Sequence, residues 1–219
     1  MKKSYVLPDL FTVTAHTGCH GTKDNSIESI ERAVSSGAQI LEFDLRFDAQ
    51  GNGILSHDKG EADPVSLEDA FAVISRDGKI KVNIDCKTTD NLKEVCRLSE
   101  KYALSERIFY TGIEKKDVES VKNQTPEVAY FLNFSPKKLR RSSEKYIEEV
   151  IALVKETGAI GLNVKFTRCS KKMVEMFRRE NLQVSLWTAN KEKDMHRCLA
   201  MAPDNITTRY PETLLEFIK

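Results

Sequence analysis

Three carboxylates fall at matching positions on two neighbouring predicted strands: Glu42 and Asp44 in LEFDLRF (41–47), and Asp85 in VNIDCK (82–87). Alternate residues of a strand share a face. Glu42, Asp44 and Arg46 therefore oppose Leu41, Phe43 and Leu45, while Asn83, Asp85 and Lys87 oppose Ile80, Val82 and Ile84. Carboxylates brought together repel one another unless protons or a cation compensate. A set of oxygen donors without histidine or thiolate suits Mg2+ or Ca2+ rather than zinc. The same spacing also permits a structural network in which Arg46 and Lys87 neutralise the acids. Lys87 and Lys165 have a second available job, holding an anionic oxygen beside the metal.

The histidines decide what such a site would do. His16 ends FTVTAH (11–16) and His57 ends GILSH (53–57), so both overhang the same mouth if the strands are neighbours. One imidazole accepting a proton from a nucleophile and the other protonating a leaving oxygen make an acid/base pair suited to neutral pH. Either histidine alone also reads as a hydrogen-bonded rim residue. His20, four residues after His16, would suggest paired zinc ligands on a helix, but Gly18 and Gly21 argue against a helix there. His196 falls inside an outer helix and reads as structural. Trp187, at a strand top, either walls a substrate pocket or fills the core.

Short apolar or alternating runs predict strands at 11–16, 39–46, 80–86, 107–111, 127–132, 159–165, 182–187 and 204–207. Segments of helical period lie at 26–36, 66–76, 90–103, 114–123, 144–157, 169–180, 191–200 and 211–218. Eight strands alternating with eight helices indicate an α/β fold, the (β/α)8 TIM barrel, as a single domain over 1–219. One apolar run breaks the alternation. GILSH follows the second strand after only DAQGN, too short for a parallel crossover, so 46–57 reads as a β-hairpin. The polar faces should point into the barrel and gather at the carboxyl ends of the strands, where barrel active sites sit. Burying them requires a ligand, a metal or a dense hydrogen-bond network.

Composition narrows the function classes. With 34 basic and 33 acidic residues the net charge is +1, which gives no electrostatic footprint for nucleic acid. The start, MKKSYVLPDLF, lacks the sustained apolar run of a secretory signal, and no stretch suits stable membrane insertion. Five scattered cysteines without a C-x-x-C pair argue against a disulfide framework or structural zinc and fit a reducing cytoplasm. The basic cluster KKLRR (137–141) reads as a solvated connection, with an anionic head-group contact as the alternative.

Taken in order, the segments HTG (16–18), KDNS (23–26), EFD (42–44), AQGNGILSHD (49–58), DCK (85–87), WTAN (187–190) and TTRYP (207–211) form one pattern. It resembles the glycerophosphodiester phosphodiesterase family, whose landmarks are H-R-G, P-E-N-T, E-x-D, a D-G hairpin ending in H-D, E-x-K and W-T-x-N. The resemblance implies a TIM-barrel enzyme that uses a divalent metal, Mg2+ or Ca2+, to hydrolyse a small-molecule phosphodiester to an alcohol and glycerol 3-phosphate. By position, His16 and His57 would be the acid/base pair, Glu42, Asp44 and Asp85 the metal ligands, and Lys87 a phosphate contact. Lys165, Trp187 and Arg46 complete the expected substrate-binding set.

Three departures stand out. Thr17 replaces an arginine expected to grip phosphate, so that either Arg46 or Lys165 compensates or the substrate differs. Asp24 replaces the glutamate of P-E-N-T with a shorter arm. The family's usual insertion after His57 is reduced to DKGEADPVS, which opens the mouth. Two rival readings follow: a non-catalytic barrel binding phosphorylated ligands, and a lyase of the sphingomyelinase D type forming a cyclic phosphate.

Overall fold

Eight parallel strands close on themselves because the first pairs with both its chain neighbour and the last. In the computed structural model, which describes residues 5–219, these are β1 (Thr12–Ala15), β2 (Ile40–Phe47), β5 (Lys81–Cys86), β6 (Ile108–Ile113), β7 (Tyr130–Asn133), β8 (Gly161–Lys165), β9 (Gln183–Trp187) and β10 (Asn205–Thr208). β1 pairs in parallel with β10 on one side and β2 on the other, completing the barrel. Residues 1–4, part of the start read above as carrying no secretory signal, lie outside the described residues. The helices are α1 (Ile27–Ser35), α2 (Leu67–Ile74), α3 (Leu92–Lys101), α4 (Val118–Gln124), α5 (Glu144–Thr157), α6 (Lys171–Arg179), α7 (Glu192–Leu199) and α8 (Pro211–Glu216).

The hairpin is present. β3 (Gly53–Leu55) runs antiparallel to the upper end of β2, and a two-residue strand, β4 (Val65–Ser66), which the sequence pattern did not show, adds to its other edge. Only the short segment 56–64 separates β3 from β4, so the shortened insertion is a plain loop. β2 outruns its barrel neighbours: its pairing with β5 ends at Leu45, and Arg46 and Phe47 pair only with the hairpin.

The apolar strand faces meet the helices. Leu41, Phe43, Leu45, Val82, Ile84, Leu162, Val164, Val184 and Leu186 are buried there, each contributing roughly 1.5–3 kcal/mol of burial. The helices present matching stripes; α6, for example, buries Met173, Val174 and Phe177. The polar faces turn inward. At the floor, Asn205 Nδ2 donates to Thr12 Oγ1 at 2.9 Å and Thr14 Oγ1 at 2.8 Å, and Ser185 Oγ donates to Asn205 Oδ1 at 3.1 Å. The charged residues lie above this layer.

Candidate active site

A cavity of about 460 Å3 opens at the carboxyl ends of the strands, lined by His16, Glu42, Asp44, His57, Asp85, Lys87 and Trp187 among others. Seven of the nine residues singled out from sequence therefore meet in one place.

Pair register sets the carboxylates. Asp44 lies opposite Asp85 and Glu42 opposite Asn83 across β2 and β5, and one oxygen from each of Glu42, Asp44 and Asp85 lies within 4.8 Å of the others. Lys87 Nζ reaches Asp44 at 2.8 Å and Asp85 at 2.5 Å. Asn25, held at φ 57°, clamps Asp44 twice: its Nδ2 donates to Oδ2 at 2.9 Å and its Oδ1 accepts the Asp44 N–H at 3.0 Å. Glu42 accepts the Thr17 N–H at 2.9 Å. The Lys87 ammonium thus compensates Asp44 and Asp85 and leaves Glu42 without a lysine partner. Burial raises the Glu42 pKa to about 7, helped by repulsion from Asp44 and Asp85 and opposed by His16. Burial alone would also raise Asp44, but the Lys87 ammonium and the Asn25 amide hold it below its usual value. Burial would lower Lys87, yet Asp85 and Asp44 raise it. A concentrated, under-compensated oxygen set fits a hard divalent cation.

Both histidines line the cavity and commit the same nitrogen to a protein oxygen. His16 Nδ1 donates to the Thr17 carbonyl at 2.8 Å, and His57 Nδ1 donates to Asp58 Oδ1 at 3.0 Å. A carbonyl or carboxylate oxygen only accepts, so each Nδ1 carries the proton and each Nε2 is left for a substrate. Burial lowers the His16 pKa, but Glu42, whose Oε2 lies 3.7 Å from Nδ1, and the Thr17 carbonyl reverse this and leave it raised.

Two sequence expectations fail on position. Arg46 does not line the cavity; its Nε donates to the His57 carbonyl at 3.0 Å, bracing the hairpin. Its inward parity means nothing once β2 has left the barrel wall. Lys165, the last residue of β8, is exposed and also lies outside the lining, where its ammonium stays hydrated. His20 pairs with Glu212 of α8, and His196 accepts or donates to Tyr5 Oη at 2.7 Å, so both are structural.

Four lining residues went unnoticed in the sequence, Thr111, Asn133, Thr188 and Arg209, and Asp24, noted there only as a departure from P-E-N-T, lines the cavity as well. The predicted strand at 127–132 stopped one residue short of Asn133. β6 is irregular where Gly112 adopts φ 78°, and a Cβ there would collide with the Cys86 carbonyl. Asn133 Oδ1 accepts the Gly112 N–H at 3.0 Å and Asn163 Nδ2 at 3.0 Å. The buried Trp187 Nε1 has no protein acceptor among the described residues.

Residues 60–213 match the model of the glycerophosphoryl diester phosphodiesterase family. The chain belongs to that family, one of phosphodiesterases. It is 22% identical over 236 residues to a glycerophosphodiester phosphodiesterase of Caldanaerobacter subterraneus subsp. tengcongensis, covering 94% of this chain and 97% of the relative. It is likewise 22% identical over 261 residues to one of Bacillus subtilis, covering 96% and 87%. The fold is shared with a putative glycerophosphodiester phosphodiesterase from Galdieria sulphuraria, at TM-score 0.77, 20% identity and 99% coverage of both chains. It is shared too with an Oleispira antarctica phosphodiesterase in complex with the product sn-glycerol-3-phosphate, at TM-score 0.75, 18% identity and 97% coverage of both. The family match starts three residues after His57, so Asp85, Lys87 and Trp187 lie within it and His16, Glu42, Asp44 and His57 precede it.

Proposed function

We propose that this family member is one catalytic domain that hydrolyses glycerophosphodiesters to an alcohol and glycerol 3-phosphate with a divalent cation, Mg2+ or Ca2+, and a His16/His57 acid/base pair. The observation that carries the reading is two imidazoles, each with Nδ1 committed to a protein oxygen, facing one cavity that also holds three carboxylates. Glu42, Asp44 and Asp85 would hold the cation, which when bound stabilises charge developing on the phosphoryl oxygens. One imidazole Nε2 takes the proton of the attacking water as its oxygen bonds to phosphorus. The other, protonated, delivers its proton to the leaving alcohol oxygen as that P–O bond breaks. The Thr17 carbonyl and Asp58 hold the two rings in the tautomer this requires. Lys87 keeps a third N–H for a phosphoryl oxygen, and Trp187 forms a wall of the substrate space. The product held by the Oleispira antarctica relative supports glycerol 3-phosphate as the retained half. Five free thiols fit work in a reducing, cytoplasmic compartment.

Phosphorus NMR of glycerophosphocholine and lysophosphatidylcholine, each with Mg2+ or Ca2+, tests the reading. A glycerol 3-phosphate resonance from glycerophosphocholine is the expected result. A cyclic phosphate as end product would make the protein a lyase, and thermal stabilisation without any product would make it a binding barrel.

A further inference from the structure

Thr17 is only 3% exposed and is committed to the fold. Its hydroxyl accepts the Asn25 N–H at 2.6 Å, and its own N–H goes to Glu42. With Arg46 and Lys165 outside the cavity, the cation missing at position 17 has to come from elsewhere. One arrives from the far end of the chain. Arg209, just beyond β10, lines the cavity with His16 and Asp24. Its main chain is pinned on both sides: its N–H donates to Asn190 Oδ1 at 2.9 Å, and its carbonyl accepts the His20 N–H at 2.9 Å. Its Nη2 donates to Asp24 Oδ2 at 2.8 Å. Gly18 makes room for this pair, since a Cβ there would run into the Asp24 carboxylate and come within 2.8 Å of Arg209 Nη1.

We propose that Arg209, just beyond the last strand, supplies the phosphate-binding cation missing at position 17, alongside Lys87, with Asp24 and Gly18 holding its guanidinium at the mouth. This rests on the phosphodiesterase reading above. The departures at 17 and 24 then become one rearrangement: the arginine moves to just beyond the last strand, and the shorter acid holds it. Asp24 engages one edge of a planar group with five N–H donors, leaving donors suited to paired phosphate oxygens.

The test is calorimetric titration of glycerol 3-phosphate into wild type, R209A, R209K and K165A, with steady-state kinetics on glycerophosphocholine and a melting curve for each variant. R209A should weaken glycerol 3-phosphate binding by about tenfold or more and raise KM more than it lowers kcat. R209K should recover part of the binding and covers the case in which R209A folds poorly. Unchanged binding in both Arg209 variants, or a loss carried by K165A instead, overturns the proposal. Arg209-dependent binding without turnover of any diester would remove the hydrolytic reading and leave the subsite standing. Turnover undiminished in R209A would do the reverse. Wild type that takes up no glycerol 3-phosphate at millimolar concentration overturns the subsite as well.

Discussion

At the floor of the barrel, Asn205, Thr12, Thr14 and Ser185 are neutral and spend their hydrogen bonds on one another. Higher on the inward faces, the Lys87 ammonium bridges Asp44 and Asp85, while burial and the repulsion of those two acids raise the Glu42 pKa to about 7. Both layers come from the same polar-inward alternation. What separates them is charge: the neutral layer pairs within the protein, whereas the charged layer leaves Glu42 without a lysine partner. On the function proposed above the floor is structural and the upper layer functional, and substitutions in the two should fail in different ways.

The largest effect should come from the rim above the acids. His16→Ala and His57→Ala should each slow glycerophosphocholine hydrolysis by roughly 10²–10⁴-fold with the melting temperature close to wild type, as read by initial rates and calorimetry. Full activity in either variant would remove the acid/base assignment. Glu42→Gln should also lose activity, yet the metal-free protein at pH 8 should melt no lower than wild type, because the substitution removes a buried charge. Its melting temperature should respond less to Mg2+ or Ca2+. A strongly destabilised Glu42→Gln would mean that the acids are structural after all. Asn205→Ala should behave in the opposite sense. Leaving its floor partners unpaired should cost about 1–3 kcal/mol in denaturant unfolding, with kcat/KM of the folded protein nearly unchanged.

The smallest effect is one of pH. Because Glu42 has a raised pKa in the fold, its contribution to stability is full below its unfolded value and is lost as pH rises through about 7. Cation binding must displace that proton. The rise in melting temperature on adding cation should therefore be greater at pH 8 than at pH 5.5. An equal or reversed difference would mean that Glu42 is not a ligand.

Much of this was legible in the sequence because alternation is a local signal. Leu41 to Leu45 and Val82 to Asp85 declare their faces residue by residue, and DAQGN is too short for anything but a hairpin. Features set by distant partners were hidden. Arg46 keeps its parity, but by that point its strand has run past β5 and pairs only with the hairpin. Asn133 reaches the cavity beside the Gly112 irregularity, which no pattern in β7 reveals. Arg209 is aimed by Asn190, His20 and Asp24, the last 185 residues away along the chain.

The most direct test of the central claim is chelation followed by add-back. Glycerophosphocholine hydrolysis would be measured in wild type and His16→Ala after removal of divalent cations, and again after restoring Mg2+ or Ca2+. The account predicts that wild-type activity disappears and returns, while His16→Ala stays at least about a hundredfold slower than wild type on add-back but shows the same cation-induced rise in melting temperature. Wild-type activity indifferent to chelation, or a wild-type rate in His16→Ala on add-back, would contradict it.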